Sequence, residues 1–369
     1  MKKLCCIVGA RPNFMKIAPI LRALDKEKDS IFSFLVHTGQ HYDDAMNDTF
    51  FRQLEIPLPN IHLEVGSNTH AIQTAEIMKR FEPVIDDENP DAILVVGDVN
   101  STIACALVAA KKGVRIIHVE AGLRSFDRTM PEEINRILTD QLSDLLFTTE
   151  EVAEINLTNE GINSNKIHFV GNVMIDTLFH NLEKAATVAD ILQRHNIELP
   201  SLESDYGILT LHRPSNVDGA DVLQGLLETL NIISEKLPLI FPVHPRTSMK
   251  IKEAKLEKLL SKSGIVVLEP LSYLDLLGLM RNARLVLTDS GGIQEETTAL
   301  GIPCVTLREN TERPITISNG TNTLVGTRRD KILEASEETL KKSNKTGKIP
   351  KYWDGHAADR IVDVLKYWL

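Results

Sequence analysis

Short runs of apolar residues alternate along the chain with longer stretches in which apolar positions recur at helical spacing. The run at residues 4–8 precedes a helical stretch at 15–25, and the run at 92–96 precedes another at 102–111. Runs that are apolar throughout are typical of strands buried on both faces of a parallel sheet, with helices as the connections. The same pattern predicts further strands in the first half of the chain at residues 31–37, 115–119, 145–148 and 167–170.

The alternating pattern stops and then starts again near the middle of the chain. Residues 181–205 are charged and contain Leu199-Pro200-Ser201, which favours a helix followed by a linker. The restarted pattern predicts strands at 207–211, 239–243, 265–268, 285–288 and 304–307, and helices at 222–236 and 273–282. A chain of 369 residues is also too long for one core. We therefore interpret it as two Rossmann-like doubly wound α/β domains, residues 1–180 and 181–355, with a ligand cleft between them.

Composition and charge narrow the partners of such a protein. The formal net charge of −10 argues against nucleic acid or an anionic membrane surface as the main partner. The first apolar run ends at Gly9, too early for a secretory signal, and no run approaches the roughly 18 apolar residues of a membrane helix. The four cysteines lie in apolar runs without CxxC spacing, which favours buried thiols in a reducing compartment over a metal site. We expect a soluble, cytoplasmic protein.

The first candidate site lies in the loop after the first predicted strand. Gly9 allows a turn, Pro12 is suited to a helix start, and Arg11 and Lys16 flank that start. Free N–H groups and the helix dipole would add to the two positive charges, which makes an anion site. The spacing is neither a Walker nor a Rossmann fingerprint, and a surface charge pair with a helix cap is an equal alternative.

Three carboxylates follow predicted strands or begin a helix in the first domain: Asp98, Glu120 and Glu132. Asp98 alone could be a helix N-cap, and Glu132 with Glu133 could serve a helix N-terminus. Glu120, however, ends an apolar strand, where a carboxylate is costly unless it is paired or functional. Taken together, the three acidic loops predict a proton donor and a proton acceptor facing one pocket.

The second domain carries basic residues and a glycine turn at its strand ends. His212, His244 and Arg246 follow predicted strands, although either histidine could be an ordinary loop residue. The clearest element is the Ser290-Gly291-Gly292 turn between a strand and a helix, a phosphate cradle of backbone N–H groups. Glu296, one turn into that helix, can accept both hydroxyls of a ribose, and Arg313 could neutralise a further phosphate charge. The residues thus predict a nucleoside diphosphate whose attached group reacts with the acids of the first domain.

Several segments of the chain, taken together, resemble the non-hydrolysing UDP-N-acetylglucosamine 2-epimerase family. They run in order from residue 9 to residue 326 and read GARPNFMK, TGQHYD, GDVNST, HVEAGLRS, MPEEINR, LHRPSN, LTDSGGIQEE, RENTERP and GTNTLVG. The resemblance implies two Rossmann-like domains in the GT-B arrangement, with a final helix at 356–369 that returns to the first domain. It also implies a homodimer and a reaction that needs no metal, nicotinamide or other cofactor.

The chemistry implied by the resemblance is reversible inversion at carbon 2 of UDP-GlcNAc, giving UDP-ManNAc as a precursor of cell-surface polysaccharide. UDP would leave by anti-elimination, forming a 2-acetamidoglucal, and would add back after a proton reaches the opposite face. The resemblance makes Asp98, Glu120 and Glu132 the acid–base groups and His212 the basic group near the diphosphate. Residues assigned to the UDP-sugar are Arg11, Lys16, His244, Arg246, Pro270, Tyr273, Ser290, Gly291, Gly292, Glu296 and Arg313.

The chain departs from the family pattern at two places. Many members read HRRENxG where this chain has the stretch from His212 to Gly219, and the missing Arg and Glu argue against allosteric activation by a second UDP-GlcNAc. Gln40 and His41 remain as candidate allosteric or sugar-side residues. Asn13 stands where Glu is usual in the family, and in this respect the chain resembles relatives that act on modified UDP-HexNAc sugars. A hydrolysing 2-epimerase, a GT-B glycosyltransferase and a non-catalytic nucleotide-sugar sensor are the alternative functions.

Overall fold

A computed structural model describes residues 1–39, 54–195, 205–261, 264–341 and 347–369, without the side chains of Arg11 and Ser261. The chain forms two compact units. The first unit contains Met1–His180 together with Lys351–Leu369, and the second contains Asn181–Pro350. Each unit is built on one parallel sheet, so the predicted class of two parallel-sheet α/β domains is confirmed.

The first unit has a seven-stranded sheet in the order β3-β2-β1-β4-β5-β6-β7. Its strands are β1 (Lys2–Val8), β2 (Ile31–His37), β3 (Ile61–His62), β4 (Ala92–Val96), β5 (Arg115–Ala121), β6 (Leu145–Thr148) and β7 (Ile167–Phe169). The helices up to the unit boundary are α1 (Arg11–Asp25), α2 (His70–Glu88), α3 (Asn100–Lys112), α4 (Pro131–Leu142), α5 (Glu151–Asn159) and α6 (Val173–Leu182).

The second unit has a six-stranded parallel sheet in the order β10-β9-β8-β11-β12-β13. Its strands are β8 (Gly207–Thr210), β9 (Leu239–Pro242), β10 (Ile265–Leu268), β11 (Leu285–Thr288), β12 (Cys304–Thr306) and β13 (Asn322–Leu324). The helices from here to the end of the chain are α7 (Val188–Arg194), α8 (Pro214–Val217), α9 (Ala220–Ser234), α10 (Pro245–Glu253), α11 (Glu257–Ser261), α12 (Tyr273–Met280), α13 (Gly291–Leu300), α14 (Ile315–Ser318), α15 (Arg329–Lys341) and α16 (Ala357–Trp368).

The strand order of each sheet reverses at one point, which decides where polar loops gather. In the first unit β1 lies between β2 and β4, and β4 pairs with β5. In the second unit β8 lies between β9 and β11. Ligands of open parallel sheets bind beyond the carboxyl ends of the strands at such a switch point. The loops after β1, β4 and β5, and those after β8 and β11, are therefore the places to look for chemistry.

The segment at 351–369 completes the first unit. Trp353 is 1% exposed and donates its Nε1–H to the Thr149 carbonyl at 3.1 Å. Asp176 accepts hydrogen bonds from the backbone N–H groups of Ala357 and Ala358, which begin α16. Residues 351–355, assigned to the second domain by the sequence pattern, therefore pack with the first unit.

The interior of each unit consists mainly of aliphatic side chains from both faces of its sheet. All four cysteines are buried and free. Burial raises the pKa of the Cys6 and Cys304 thiols to about 12, so they act as small apolar side chains. Among the helices that the structure describes, none has both the length and the apolar character needed to cross a bilayer.

Candidate active site

Glu120 lies at the carboxyl end of β5 in a backbone conformation that side chains rarely adopt. Its φ is +72°, and the pairing of β5 with β6 shifts register between Val119 and Ala121. The Glu120 carboxylate is buried and lies 2.7 Å from the Lys16 ammonium, which is also buried. Lys16 comes close to Gly97, where a Cβ atom would lie 2.7 Å from Nζ. A strained, buried carboxylate with a buried cation is a costly arrangement that is typical of functional sites.

Asp98 lies in the loop after β4, on the neighbouring strand end. Its carboxylate pairs with the Arg136 guanidinium at 2.9 Å, and its backbone carbonyl accepts a hydrogen bond from the Asn135 amide. Both partners belong to α4, so this helix fixes the loop that carries Asp98. The side chain of Asp98 is still 25% exposed, which leaves it open to a ligand.

The first turn of α4 separates the two acids that follow Pro131. Glu133 is fully buried, accepts hydrogen bonds from the backbone N–H groups of Ser125 and Phe126, and pairs with Arg136 at 3.1 Å. Glu133 therefore holds the loop before the helix. Glu132, by contrast, is half-buried.

The loop after β1 is tied to the same edge by Asn13. The Asn13 Oδ1 atom accepts hydrogen bonds from the backbone N–H groups of Gly9 and Ala10, and its Nδ2 donates to the Val96 carbonyl at 2.9 Å. A glutamate could accept the first two bonds but could not donate the third. Arg11 is the first residue of α1, and its side chain is outside the described atoms. Gln40 and His41 lie outside the described residues.

In the second unit, the buried carboxylate of Asp289 fixes the position of the His212 ring. Its Nδ1 lies 2.8 Å from Asp289 Oδ1, and Asp289 also accepts hydrogen bonds from the backbone N–H groups of His212 and Arg213. Asp289 is fully buried, whereas the His212 side chain is 39% exposed. The His212 and Arg213 contacts lower the pKa of Asp289 against the opposing effect of burial. The pair fixes Nδ1 and leaves Nε2 as the ring nitrogen for a ligand.

The glycine turn that follows β11 forms an open helix N-terminus. Ser290 is the N-cap of α13 and makes no side-chain capping hydrogen bond, so the first N–H groups of the helix are not capped by it. Ser290, Gly291 and Gly292 are all partly exposed. A Cβ atom on Gly291 would lie 2.8 Å from Glu312 Oε1, so a larger residue would crowd the turn. This arrangement suits an anion such as a phosphate.

Glu296, one turn further along α13, forms a buried pair with Tyr273, the first residue of α12. The Tyr273 hydroxyl donates to Glu296 Oε1 at 3.0 Å, and both residues are buried. Burial raises the pKa of Glu296 to about 7, and the Tyr273 hydrogen bond acts against this. Glu296, predicted at the ribose, and Tyr273, predicted to bind the UDP-sugar, therefore contact each other.

The remaining predicted residues of the second unit have partners of their own. Arg313 is buried against Glu295 at 2.9 Å, and Arg246 pairs with Asp218 at 2.9 Å. The His244 side chain accepts from the Arg246 backbone N–H as the N-cap of α10, and its ring lies 5.8 Å from that of His212. Pro270 is exposed. Within the described part of the chain, no group of three or more His, Cys, Asp or Glu side chains is arranged to hold a metal ion.

Most of the chain matches one family of known proteins. The family model described as UDP-N-acetylglucosamine 2-epimerase matches residues 22–366. The chain belongs to this family. It is 44% identical over 370 residues to the UDP-N-acetylglucosamine 2-epimerase of Methanocaldococcus jannaschii, covering 99% of each chain. It is 40% identical over 367 residues to the UDP-2,3-diacetamido-2,3-dideoxy-D-glucuronate 2-epimerase of Pseudomonas aeruginosa, covering 98% of this chain and 99% of that protein.

Solved structures of the UDP-N-acetylglucosamine 2-epimerase family give the same result for the fold. The M. jannaschii enzyme in complex with UDP-GlcNAc and UDP matches with a TM-score of 0.89 at 45% identity, covering 99% of each chain. The family resemblance and the GT-B-like fold class predicted from the sequence are therefore confirmed.

The structure adds residues of this epimerase-family chain that the sequence pattern did not identify. Asp289 was quoted as part of a motif, but its contact with His212 joins residues far apart in sequence. Arg136 was likewise quoted as part of a motif, but no partner was predicted for it. The partners of His118, a fully buried histidine in an apolar strand, were also missed. The signal that could have revealed these partners is the histidine itself, because a buried ring in a strand requires polar partners.

Proposed function

We propose that this protein catalyses reversible, non-hydrolysing epimerisation of UDP-GlcNAc to UDP-ManNAc at carbon 2 of the sugar. The observation that carries the proposal is the strained and buried Glu120, which lies beside Lys16 on the strand next to the one that leads to Asp98. A fold that needed only packing at this position would not favour a carboxylate there. Family membership and the 44% identity to the M. jannaschii enzyme support the same reaction.

In the proposed reaction, a carboxylate of the first unit removes the proton from carbon 2. The C1–O bond to UDP breaks, its electron pair leaves with the diphosphate, and a C1–C2 double bond forms, giving a 2-acetamidoglucal. A second carboxyl group, which is protonated at this stage, then delivers its proton to carbon 2 from the opposite face, and the diphosphate oxygen attacks carbon 1 again. Asp98, Glu120 and Glu132 are the proposed acid–base groups.

The second unit would hold the UDP throughout this cycle. The open N-terminus of α13 at Ser290, Gly291 and Gly292 would bind the phosphates, and Glu296 would accept the ribose hydroxyls. His212 would stabilise the charge that develops on the leaving diphosphate, with Asp289 fixing its ring. A diphosphate that stays bound after C1–O cleavage can return to carbon 1, which distinguishes epimerisation from hydrolysis.

The reaction is tested by incubating the protein with UDP-GlcNAc in deuterated water and recording NMR spectra. Epimerisation predicts deuterium at carbon 2 and a mixture of intact UDP-GlcNAc and UDP-ManNAc. Free N-acetylmannosamine with UDP would instead show a hydrolysing enzyme. Transfer to an acceptor without exchange at carbon 2 would show a glycosyltransferase, and binding without any reaction would show a sensor.

A variant of the central carboxylate tests its role, and a variant of the neighbouring Glu133 is the matched control. Glu120→Gln keeps the size of the side chain and removes its basicity, so exchange at carbon 2 should fall by a factor of 10² or more. Glu133→Gln changes a neighbouring acid that holds a loop. We expect this variant to alter the free energy of unfolding more than it alters the ratio of the exchange rate at carbon 2 to kcat. Full exchange by the Glu120→Gln protein would remove this residue from the mechanism.

A modified UDP-HexNAc is the second candidate substrate. The 40% identical P. aeruginosa relative is named for UDP-2,3-diacetamido-2,3-dideoxy-D-glucuronate. The substrate is decided by comparing kcat/KM for this compound with that for UDP-GlcNAc. We also propose that the protein works in the cytoplasm as a homodimer and supplies ManNAc-type precursors for cell-surface polysaccharide. Light scattering tests the dimer, and loss of the polysaccharide on gene deletion tests the role.

A further inference from the structure

A buried polar cluster lies behind the candidate carboxylates of the first unit. His118 is in β5, two residues before Glu120, and is 0% exposed. One ring nitrogen, Nδ1, lies 2.6 Å from Asp140 Oδ1, and the other, Nε2, lies 2.8 Å from the Gly97 carbonyl oxygen. Asp140 comes from α4 and is also buried. The imidazole thus bridges a helix and the loop after β4.

The two contacts of His118 determine how many protons its ring carries. A carbonyl oxygen can only accept a hydrogen bond, and so can an ionised carboxylate. A neutral imidazole has one N–H and could satisfy one of the two partners. With Asp140 ionised against the Arg124 guanidinium at 2.7 Å, both short contacts are satisfied together when Nδ1 and Nε2 are both protonated, so that the ring is an imidazolium.

The charges around the ring agree with this assignment. The second oxygen of Asp140 lies 2.7 Å from the Arg124 guanidinium, and Arg124 also pairs with Glu160 at 2.6 Å. The four groups then comprise two carboxylates and two cations, and the cluster is neutral. A neutral His118 would leave one negative charge without compensation among side chains of which only Glu160, at 29%, has notable exposure, and this is unfavourable.

The cluster is connected to both sides of the strained residue Glu120. Asp140 accepts a hydrogen bond from the Gly122 backbone N–H at 3.1 Å, on the carboxyl side. His118 holds the Gly97 carbonyl, and the Gly97 N–H donates to the Val119 carbonyl at 3.0 Å. A left-handed conformation is unfavourable for a residue other than glycine and persists where the surroundings fix it.

We propose that His118, as an imidazolium bonded to Asp140, is a positioning residue for the proposed epimerisation. It holds the backbone that carries Glu120 in its left-handed conformation and fixes the Gly97 carbonyl, and hence the adjacent Asp98, relative to it. The ring is fully buried, so His118 acts through these two residues and does not contact the substrate. The effect on rate rests on the proposed function, whereas the protonation of the ring does not.

The protonation of His118 is tested by long-range ¹H–¹⁵N correlation spectra of the ¹⁵N-labelled protein at pH 7. His118→Gln identifies the signals of this ring by their loss. We expect both ring nitrogens to have the shifts of protonated nitrogens. A ring with one bare nitrogen would overturn the assignment whatever reaction the protein catalyses.

The positioning role is tested by the kinetics of two variants, His118→Gln and Asp140→Asn. For both we expect kcat and the exchange rate at carbon 2 to fall about 10- to 100-fold, with the Kd for UDP changed less than twofold, because the proposed UDP site is in the second unit. His168→Gln, a partly exposed histidine of β7, is the matched control and should retain wild-type rates. Wild-type kcat in His118→Gln, or a weaker Kd for UDP with normal kcat, would refute the proposal. Should His118→Gln not fold, the kinetics of Asp140→Asn still decide it.

Discussion

The affinity for UDP should depend on pH through Glu296. Burial has the largest effect on the pKa of this carboxyl and raises it, the Tyr273 hydroxyl lowers it and the neighbouring Glu295 raises it, and the resulting pKa is about 7. An ionised carboxylate can accept both ribose hydroxyls, whereas a protonated carboxyl must itself donate. Binding below pH 7 therefore requires the loss of a proton, and the affinity should rise as the pH rises.

The size of the effect follows from the fraction of Glu296 that is ionised. With a pKa of about 7, about one-tenth of the carboxyl is ionised at pH 6 and about nine-tenths at pH 8. The Kd for UDP should thus be about tenfold weaker at pH 6 than at pH 8, a difference of about 1.4 kcal/mol. Glu296→Gln removes the titrating group, so its Kd should be weaker at all pH values and nearly flat.

Isothermal titration calorimetry with UDP from pH 6 to pH 8 measures this dependence. UDP itself has a phosphate that ionises in this range, so the difference between the wild type and Glu296→Gln is the quantity to compare. Tyr273→Phe removes the hydrogen bond that lowers the pKa of Glu296, and should move the midpoint of the curve to higher pH. Equal slopes in the wild type and Glu296→Gln would refute the reasoning.

Three further changes test other contacts. Asp289→Asn should lower the exchange rate at carbon 2 about 10²-fold, because His212 loses the carboxylate that fixes its ring; an unchanged rate would contradict this. Gly291→Ala places a methyl group in the phosphate cradle, and calorimetry should show a Kd for UDP at least roughly tenfold weaker, with an unchanged circular dichroism spectrum. Burial raises the pKa of Asp176 from 3.8 to about 6, so the folded state favours the neutral acid. The free energy of unfolding of the first unit should therefore fall by up to roughly 3 kcal/mol as the pH rises from 4 to 7, and should not fall in Asp176→Asn. Urea titrations followed by tryptophan fluorescence measure this, because Trp353 and Trp368 both belong to the first unit.

Local patterns in the sequence predicted the main strands well. The bounds predicted at 31–37 and 92–96 agree with β2 and β4, because a buried parallel strand is an uninterrupted apolar run between polar turns. Strands β3 and β13 were missed because each is very short and includes polar residues, His62 in the first and Asn322 and Thr323 in the second, so that neither stands out as an apolar run. They pair at the outer sides of their sheets, where the remaining strands determine their position.

The candidate site was predictable as a set of loops but not as a set of contacts. Glu120, Asp98 and the glycine turn could be located from the sequence, because strand ends and glycine positions are local features. The contact of Lys16 with Glu120 joins residues 104 positions apart, and a sequence without an aligned family contains no signal for such a pair. For the same reason Lys16 was predicted at a phosphate, while the structure places its ammonium beside a carboxylate.

The composition of the first unit from two separated segments has a consequence for synthesis on the ribosome. Residues 181–350 form a continuous unit that can become compact as soon as they emerge, whereas the first 180 residues lack the buried Trp353 and the helix α16 until residues 351–369 follow. At translation rates of about 5–20 residues per second, the interval is roughly 9–38 s. During that time the apolar surface of α1 that α16 later covers is exposed. The amino-terminal half of the nascent chain should therefore bind chaperones.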